Sequence, residues 1–225
     1  MDILYEDNHL LVVNKPAGML TQGDATGDRS LLDLGKEYLK EKYHKPGAVY
    51  LTPAHRLDRP ASGAVALART DKAAARLAEQ FRARATVEKI YLAAVESDRL
   101  PSSGEMRDAL LIGGNKTTMT NLAARGAKNA VLTYEVLAAR RGRSLVKIKL
   151  LTGYKHQIRA QFAARGAPLA GDFRYAPSGA AQPLDNGHAI ALHAWRLTLL
   201  HPTKREPLTF IAPPPAWSEE WGKFV

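Results

Sequence analysis

The sequence contains no cysteine, which excludes disulfide bonds, thiolate metal ligands and a cysteine nucleophile. No apolar run approaches the roughly 18 residues of a membrane-spanning helix, and we expect no membrane partner. The acidic N-terminus lacks the basic start of a secretory signal, so the cytoplasm is the expected compartment. There is no Gly-rich dinucleotide motif, P-loop or G-x-S-x-G elbow, and the seven histidines show no metal-ligand spacing.

Positive charge is the most prominent property of what the sequence does contain. Its 225 residues include 32 Lys and Arg against 22 Asp and Glu, a formal net charge of +10. The apolar fraction of 45% is that of a globular protein able to build its own core. A cationic surplus of this size favours a polyanionic partner, with nucleic acid first and an anionic membrane surface second.

Short strands and helices interleave along the chain without the strict rhythm of a parallel βαβ fold. The patterns predict strands at 10–13, 64–68, 90–95 and within 189–200, and a hairpin of 130–138 with 145–151 around Arg140 and Arg143. In its second strand, Lys147 and Lys149 face away from the apolar side chains. We interpret residues 97–130 as loops with one short strand.

Three helices are predicted from their boundary residues. Ser30 with Asp33 resembles a capping box, and Thr70 or Asp71 can cap a helix whose apolar face is Ala74, Leu77, Ala78 and Phe81. A third helix is expected over 155–165, closed by Gly166. The predicted fold is α+β: one domain over residues 1–225, with a mixed, mostly antiparallel sheet flanked by helices and loops.

Three segments could carry chemistry. Asp58 lies between Arg56 and Arg59, in a loop that Pro60 keeps from being a regular helix; it is either an ionised catalytic carboxylate or part of a surface salt bridge. The turn at Gly153 opens a helix on which Lys155 and Arg159 share a face, suited to phosphate or merely solvated. Tyr91 is either a core aromatic or a platform on which a base stacks.

The order of these segments resembles the RluA-type family of RNA pseudouridine synthases. The matching runs extend from about Ile3 to about Pro215, and the most specific pair is His-Arg-Leu-Asp at 55–58, followed by Ser-Gly, with His-Gln-Ile-Arg at 156–159. The resemblance implies an isomerase without cofactor or metal that converts uridine to pseudouridine in structured RNA. It implies a single catalytic domain, and we expect a monomer.

The resemblance also implies roles for individual residues. Asp58 matches the catalytic aspartate, which attacks ribose C1′ or assists deprotonation at C2′. Tyr91 matches the active-site tyrosine that stacks on the base, and Arg159 matches the basic residue that pairs with Asp58. Arg56 matches a residue that enters the RNA stack when the uridine flips out, and flipping is required because C1′ and C5 are inaccessible in a stacked helix. Leu192 and Ile158 are expected in the pocket or the core.

Two departures from the family pattern affect RNA binding. Tyr154 stands where relatives usually carry Arg, which questions a phosphate contact there. The catalytic segments begin almost at Met1, so we expect no N-terminal S4-type domain, and RNA affinity must come from the catalytic domain. The RNA-binding candidates are Arg56, Arg59, Lys155, Arg140, Arg141 and Arg143, and further cations that could contribute are Arg82, Arg84, Arg125, Lys128, Lys147 and Lys149.

Two other functions compete with the synthase. A non-catalytic RNA-binding or RNA-folding protein on the same scaffold would bind RNA with the same salt sensitivity but would not need Asp58. A glycosidase-like hydrolase would usually need two facing carboxylates. Asp58 has no obvious partner for that chemistry, because Asp172 lies in a segment that we interpret as structural. The RNA is expected to be a transfer or ribosomal RNA.

Overall fold

The computed structural model describes residues 1–114, 116–177 and 184–221. They form two compact units, the first of residues 1–88 and 194–213 and the second of residues 89–193 with the chain after 213. The described ranges include no helix that is long and apolar enough to cross a membrane. The α+β class with mostly antiparallel pairing is confirmed, and the single domain over 1–225 stays a prediction.

The first unit is a sheet with two helices. Its strands are β1 (Asp2–Glu6), β2 (Leu10–Lys15), β3 (Thr52–Pro53), β4 (Ser62–Ala68), β10 (Leu192–Leu200, apart from its first two residues) and β11 (Pro207–Ile211). The order is β1-β2-β4-β10, with β3 beside β4 and β11 beside β10. β4 is buried along its whole length, which explains its continuous run of small apolar residues.

Both helices of this unit begin where the sequence predicts. α1 (Leu31–Lys42) starts with a complete capping box between Ser30 and Asp33, and α2 (Asp71–Ala83) starts at Thr70, whose hydroxyl accepts from the backbone N–H of Ala73. The predicted apolar face of α2 is partly wrong. The residues buried on α2 are Ala73 and Leu77, whereas Ala78 is exposed.

The second unit contains the rest of the elements. Its strands are β5 (Glu88–Val95, from its second residue), β6 (Ser103–Ile112), β7 (Thr117–Thr120), β8 (Lys128–Arg140) and β9 (Arg143–Leu150), in the order β5-β9-β8-β6-β7. α3 (Gln157–Ala163) and short 3-10 turns at Asp185–Gly187 and Ala216–Trp221 complete it. Each pairing along this order is antiparallel.

The β8–β9 hairpin is confirmed, and its connection shows why it forms. Arg140 and Arg143 are partners in register, and Arg141 and Gly142 between them both have positive φ, as a two-residue type I′ turn requires. Val146, Ile148 and Leu150 are buried, whereas Lys149 is exposed and Lys147 is partly exposed. The basic face predicted for this strand is therefore present.

Two predictions for this unit are wrong. Residues 97–130 hold two strands and the start of a third, not one short strand, because several of their positions face solvent and carry polar or glycine residues that hide the strand pattern. α3 begins at Gln157 rather than residue 155, since His156 adopts left-handed geometry with φ 53° and interrupts the helix. Lys155 is thus outside the helix and does not share a helical face with Arg159.

Candidate active-site residues

The loop that carries Asp58 joins β3 to β4 and is fastened to the preceding chain at several points. The Thr21 hydroxyl donates to the carbonyl of Leu57 at 3.1 Å and accepts from its N–H at 3.2 Å. Leu57 is buried, Asp58 is half-buried, and Arg56 is exposed. The loop therefore buries one apolar side chain, leaves Asp58 partly accessible and exposes Arg56.

The Arg59 side chain contacts two residues of the preceding chain. Its Nε donates to the carbonyl of Gly18 at 3.0 Å, and its guanidinium lies 2.7 Å from a carboxylate oxygen of Asp28. Both groups of this ion pair are largely exposed, so the pair contributes little to stability. With the bond to Gly18, it connects the loop of Asp58 to the chain that precedes it.

Lys15 is the residue of this region that the sequence pattern does not reveal. Its side chain is fully buried, and Nζ donates to the carbonyls of Pro16 at 3.0 Å, Met19 at 2.8 Å and Arg59 at 3.2 Å. Burial lowers the pKa of Lys15 to about 7; the charge of Asp58 opposes the fall, and that of Arg59 adds to it. In the sequence, Lys15 lies at the end of an apolar strand and in one of the runs that match the family, but neither feature indicates that its side chain is buried.

Gly63 explains the Ser-Gly pair that follows the loop. Its φ is +116°, and a Cβ atom at this position would lie 2.5 Å from the backbone nitrogen of Ala194. No real Cβ makes such a contact, so β10 can approach β4 here only beside a glycine. The close approach lies at the second residue of β4, five residues after Asp58.

Tyr91 and Arg159 belong to the second unit. Tyr91 lies on β5, is 7% exposed, and faces Ile148 across the strand pair. Arg159 lies on α3 and is buried: its Nε and Nη2 donate to the two carboxylate oxygens of Asp172 at 2.7 and 2.8 Å. The pairing of Arg159 with Asp58 stays a prediction. The structural role expected for the Asp172 segment also stays a prediction.

The turn before α3 is closed by the side chain of Gln157. Its amide oxygen accepts from the Thr152 hydroxyl at 2.8 Å and from the Tyr154 N–H at 3.2 Å, and its amide nitrogen donates to the carbonyl of Val131. Tyr154 packs against the cluster of Leu110, Ala130 and Ala160. Tyr154, at the position where the resemblance leads us to expect arginine, therefore packs against apolar side chains.

The positive charge is concentrated in one part of the chain. Residues 109–171 contain 11 Lys and Arg but a single acidic residue, Glu135, and the other residues balance at 21 of each sign. Some of these cations pair with acids from outside the stretch, as Arg143 does with Glu96 and Arg165 with Asp108. Eight of them are exposed: Lys116, Arg125, Lys128, Arg140, Arg141, Lys149, Lys155 and Arg165.

The described ranges contain no group of three or more His, Asp or Glu side chains that could hold a metal ion.

The RNA-binding residues predicted from the sequence differ in exposure. Arg56, Arg59, Arg140, Arg141 and Lys155 are exposed, and Lys155 donates to the carbonyl of Gly114 at 2.5 Å. Arg143 is about one third exposed and lies 3.0 Å from Glu96.

Comparison with known proteins gives a consistent result. Residues 9–164 match the family model for RNA pseudouridylate synthase. The chain is 34% identical over 217 residues to the dual-specificity RNA pseudouridine synthase RluA of Pasteurella multocida, covering 95% of this chain and 93% of that protein. It is 34% identical over 220 residues to the uncharacterized RNA pseudouridine synthase YhcT of Bacillus subtilis, covering 96% and 69%.

A solved structure also matches over most of the chain. The structure of human RNA pseudouridylate synthase domain containing 4 has a TM-score of 0.79 and 25% identity, and the match covers 96% of this chain and 89% of that one. Human RNA pseudouridylate synthase domain containing 1 has a TM-score of 0.70 at the same identity, covering 95% and 83%. The similarity therefore extends to the fold.

Proposed function

Because the chain belongs to the RluA-type family of RNA pseudouridine synthases and is an isomerase, we propose that Asp58 is its catalytic carboxylate and that its substrate is a uridine in a structured transfer or ribosomal RNA. The observation that carries the assignment is how the loop of Asp58 is held in place. Its loop is tied to the preceding chain by Thr21 and Lys15, while the carboxylate stays half-buried. A catalytic group needs this combination of fixed position and access.

The reaction breaks the bond between N1 of uracil and C1′ of ribose and forms a bond between C5 and C1′. In one route the Asp58 carboxylate attacks C1′, uracil leaves, and a covalent Asp58–C1′ bond remains; in the other the carboxylate takes a proton from C2′, and uracil leaves as a C1′–C2′ double bond forms. The detached base turns so that C5 faces C1′. C5 then bonds to C1′ as the Asp58–C1′ bond breaks or, in the second route, as C2′ takes back its proton, and finally the C5 proton is lost while N1 gains one. No oxidation state changes, so the reaction consumes no second substrate.

Tyr91 and Arg159 have supporting roles in this proposal. Tyr91 supplies a ring on which the detached base stacks and a hydroxyl for the final proton transfer from C5. Arg159 supplies a positive charge that favours the ionised form of the catalytic carboxylate. Tyr91→Phe keeps the ring and is expected to preserve RNA affinity while it slows proton loss. Tyr91→Ala is expected to weaken both.

RNA affinity is assigned to five exposed cations and to the partly exposed Arg143. Arg56 enters the stack as the uridine flips, and Arg59 contacts the backbone beside it. Arg140, Arg141, Arg143 and Lys155 neutralise phosphates further along the RNA. The concentration of net charge in residues 109–171 supports the second group, because a polyanion is attracted to the part of the surface that carries the surplus.

The RNA class is proposed from relatives. One relative is named a dual-specificity RNA pseudouridine synthase, and another is named ribosomal large subunit pseudouridine synthase D, with 33% identity over 229 residues. We therefore expect activity on transfer RNA, on ribosomal RNA, or on both.

The test incubates the protein with total transfer RNA and, separately, ribosomal RNA from cells that lack it. The RNA is digested and its nucleosides are separated by chromatography. New pseudouridine at the expense of uridine supports the proposal, and its position names the substrate. Released uracil would indicate a hydrolase instead, and binding without either product would indicate a non-catalytic RNA-binding protein.

A further inference from the structure

We propose that Asp172 and Tyr175 are positioning residues that fix the guanidinium of Arg159 in one orientation for the isomerisation. The inference rests on the proposed catalytic role of Arg159. All the contacts that carry it lie within the second unit. Neither residue is expected to touch the uridine, so their effect on turnover would pass through Arg159 alone.

Asp172 holds one edge of the guanidinium. The two hydrogen bonds, at 2.7 and 2.8 Å, use Nε and Nη2, and the side chains of Arg159 and Asp172 are only 5% and 1% exposed. A two-point contact between planar groups fixes the plane of the guanidinium as well as its position. Because the Nε edge faces Asp172, the Nη1 side points away from that carboxylate.

The Asp172 carboxylate is itself held by the turn that it begins. The backbone N–H of Arg174 donates to its Oδ1 at 3.2 Å, and the N–H of Ala176 donates to the Asp172 carbonyl at 2.9 Å. Gly171, before it, has φ +80°, and a Cβ there would lie 2.8 Å from the carbonyl oxygen of Ala189. The turn is therefore packed too closely to let the carboxylate follow a moving arginine.

Tyr175 covers a face of the same guanidinium. Its ring centre lies 5.1 Å from Cζ of Arg159, within the range of a cation–π contact. Its hydroxyl accepts from the backbone N–H of Thr117 at 2.8 Å and pairs with Nδ1 of His156 at 2.9 Å. The ring is thus held from strand β7 and from the residue before α3, and Arg159 is enclosed by a carboxylate and an aromatic face.

Stability alone does not account for this arrangement. A buried ion pair rarely stabilises a fold more than apolar side chains of the same volume, because both charges lose their hydration. An arginine that only had to fill space could be replaced by an apolar residue. A fixed charge direction, in contrast, needs a partner of defined geometry on the far side of the arginine.

The first test compares Asp172→Asn and Tyr175→Phe with Asp108→Asn. Asp108 is a matched control because its carboxylate also pairs with an arginine near α3, Arg165, and accepts from Gln161. The readouts are the single-turnover rate of tritium release from RNA labelled at uridine C5, the Kd for that RNA, and the thermal midpoint. RNA from the pool that yields pseudouridine serves as the substrate.

We expect Asp172→Asn to lower the single-turnover rate about 10- to 100-fold while the RNA Kd changes less than about threefold. Tyr175→Phe, which keeps the ring but loses both hydroxyl contacts, should lower the rate about 3- to 10-fold, and Asp108→Asn should leave it within about twofold. An unchanged rate in folded Asp172→Asn would overturn the proposal. If that variant does not fold, an unchanged rate in Tyr175→Phe would overturn it.

A double-mutant cycle separates positioning from a general structural effect. If Asp172 acts through Arg159, Asp172→Asn should change the rate of an Arg159→Lys protein less than about twofold. A full, independent loss in that background would overturn the proposal. A wild-type rate in Arg159→Gln, which removes the positive charge, would instead contradict the role proposed for Arg159, so failure of the two proposals can be distinguished.

Discussion

The ammonium group of Lys15 lies 3.2 Å from the carbonyl oxygen of Arg59, although 44 residues separate the two in the chain. The same group binds the carbonyls of Pro16 and Met19. A single buried cation thus joins the segment after β2 to the loop of Asp58. The loop of the proposed catalytic carboxylate is thus held to the preceding chain beside Asp58, at the carbonyl of Arg59.

Replacement of Lys15 should therefore affect stability and turnover together. Lys15→Met keeps the length of the side chain but leaves three carbonyls without their donor, which should lower the free energy of unfolding by about 2–4 kcal/mol. The measurement is urea denaturation, with Lys40→Met on the exposed side of α1 as the control, expected to change by about 0.5 kcal/mol or less. Wild-type stability and turnover in Lys15→Met would contradict the role of the lysine.

Gly63 provides a test of the close packing between β4 and β10, directly after the loop of Asp58. Gly63→Ala forces a Cβ atom towards the backbone of Ala194 at a positive φ, and the variant should lose about 3 kcal/mol or more of stability. Gly47→Ala is the matched control, since nothing lies within 4 Å of a Cβ there. Equal thermal midpoints for the two variants would show that β4 and β10 do not require the close approach.

The sequence predicts best those features of the fold that are determined by residues close together in the chain. The capping box at Ser30, the cap at Thr70 and the turn at Arg141 and Gly142 each involve residues adjacent in the chain, and each is confirmed. The predicted start of α3 at residue 155 is wrong. His156 has a left-handed backbone conformation, and the side-chain amide oxygen of Gln157 accepts from the Tyr154 N–H, which closes the turn before the helix. Neither the conformation of His156 nor the contact of Gln157 can be recognised from the local residue types.

The candidate site shows the same division. A motif resemblance identifies Asp58, Tyr91 and Arg159, but it does not reveal the burial of Lys15 or the contact of Arg159 with Asp172. These contacts join residues distant in sequence, and a lysine beside a proline usually marks only the end of a strand. The placement of Tyr154 against an apolar cluster likewise depends on β6 and β8, which pass beside it.

The lowered pKa of Glu6 predicts how the stability of the first unit changes in acid. Burial opposes ionisation of this carboxyl, but hydrogen bonds from Lys42, Tyr43 and Tyr38 outweigh it and lower its pKa from 4.5 to about 2. Since the folded-state pKa is the lower one, ionised Glu6 stabilises the fold above about pH 4.5, and this contribution is lost as the pH falls towards 2.

The measurement compares the wild type with Glu6→Gln by denaturation between pH 7 and pH 3. The stability advantage of the wild type should be constant above about pH 5 and should shrink by about 2 kcal/mol at pH 3. Subtracting the variant removes the contribution of other titrating groups. An advantage that does not vary with pH would show that the contacts of Glu6 do not depend on its charge.

The proposed RNA surface predicts a change in salt dependence. Arg140→Gln with Arg141→Gln removes two exposed cations and should make the slope of log K against log salt shallower by about 1.5, because fewer counterions are released. The control, Lys40→Gln with Lys45→Gln, removes the same charge from α1 and the turn after it. Identical slopes for both pairs would place the RNA elsewhere on the surface.

The central claim is that Asp58 carries out the isomerisation, and its most direct test is tritium release from RNA labelled at C5 of uridine. Asp58→Asn keeps the size of the side chain but removes its charge, and Asp24→Asn is the control for loss of an exposed carboxylate in the same unit. We predict release with the wild type and Asp24→Asn, and none above background with Asp58→Asn at unchanged RNA affinity. Release by Asp58→Asn at the wild-type rate would contradict the account.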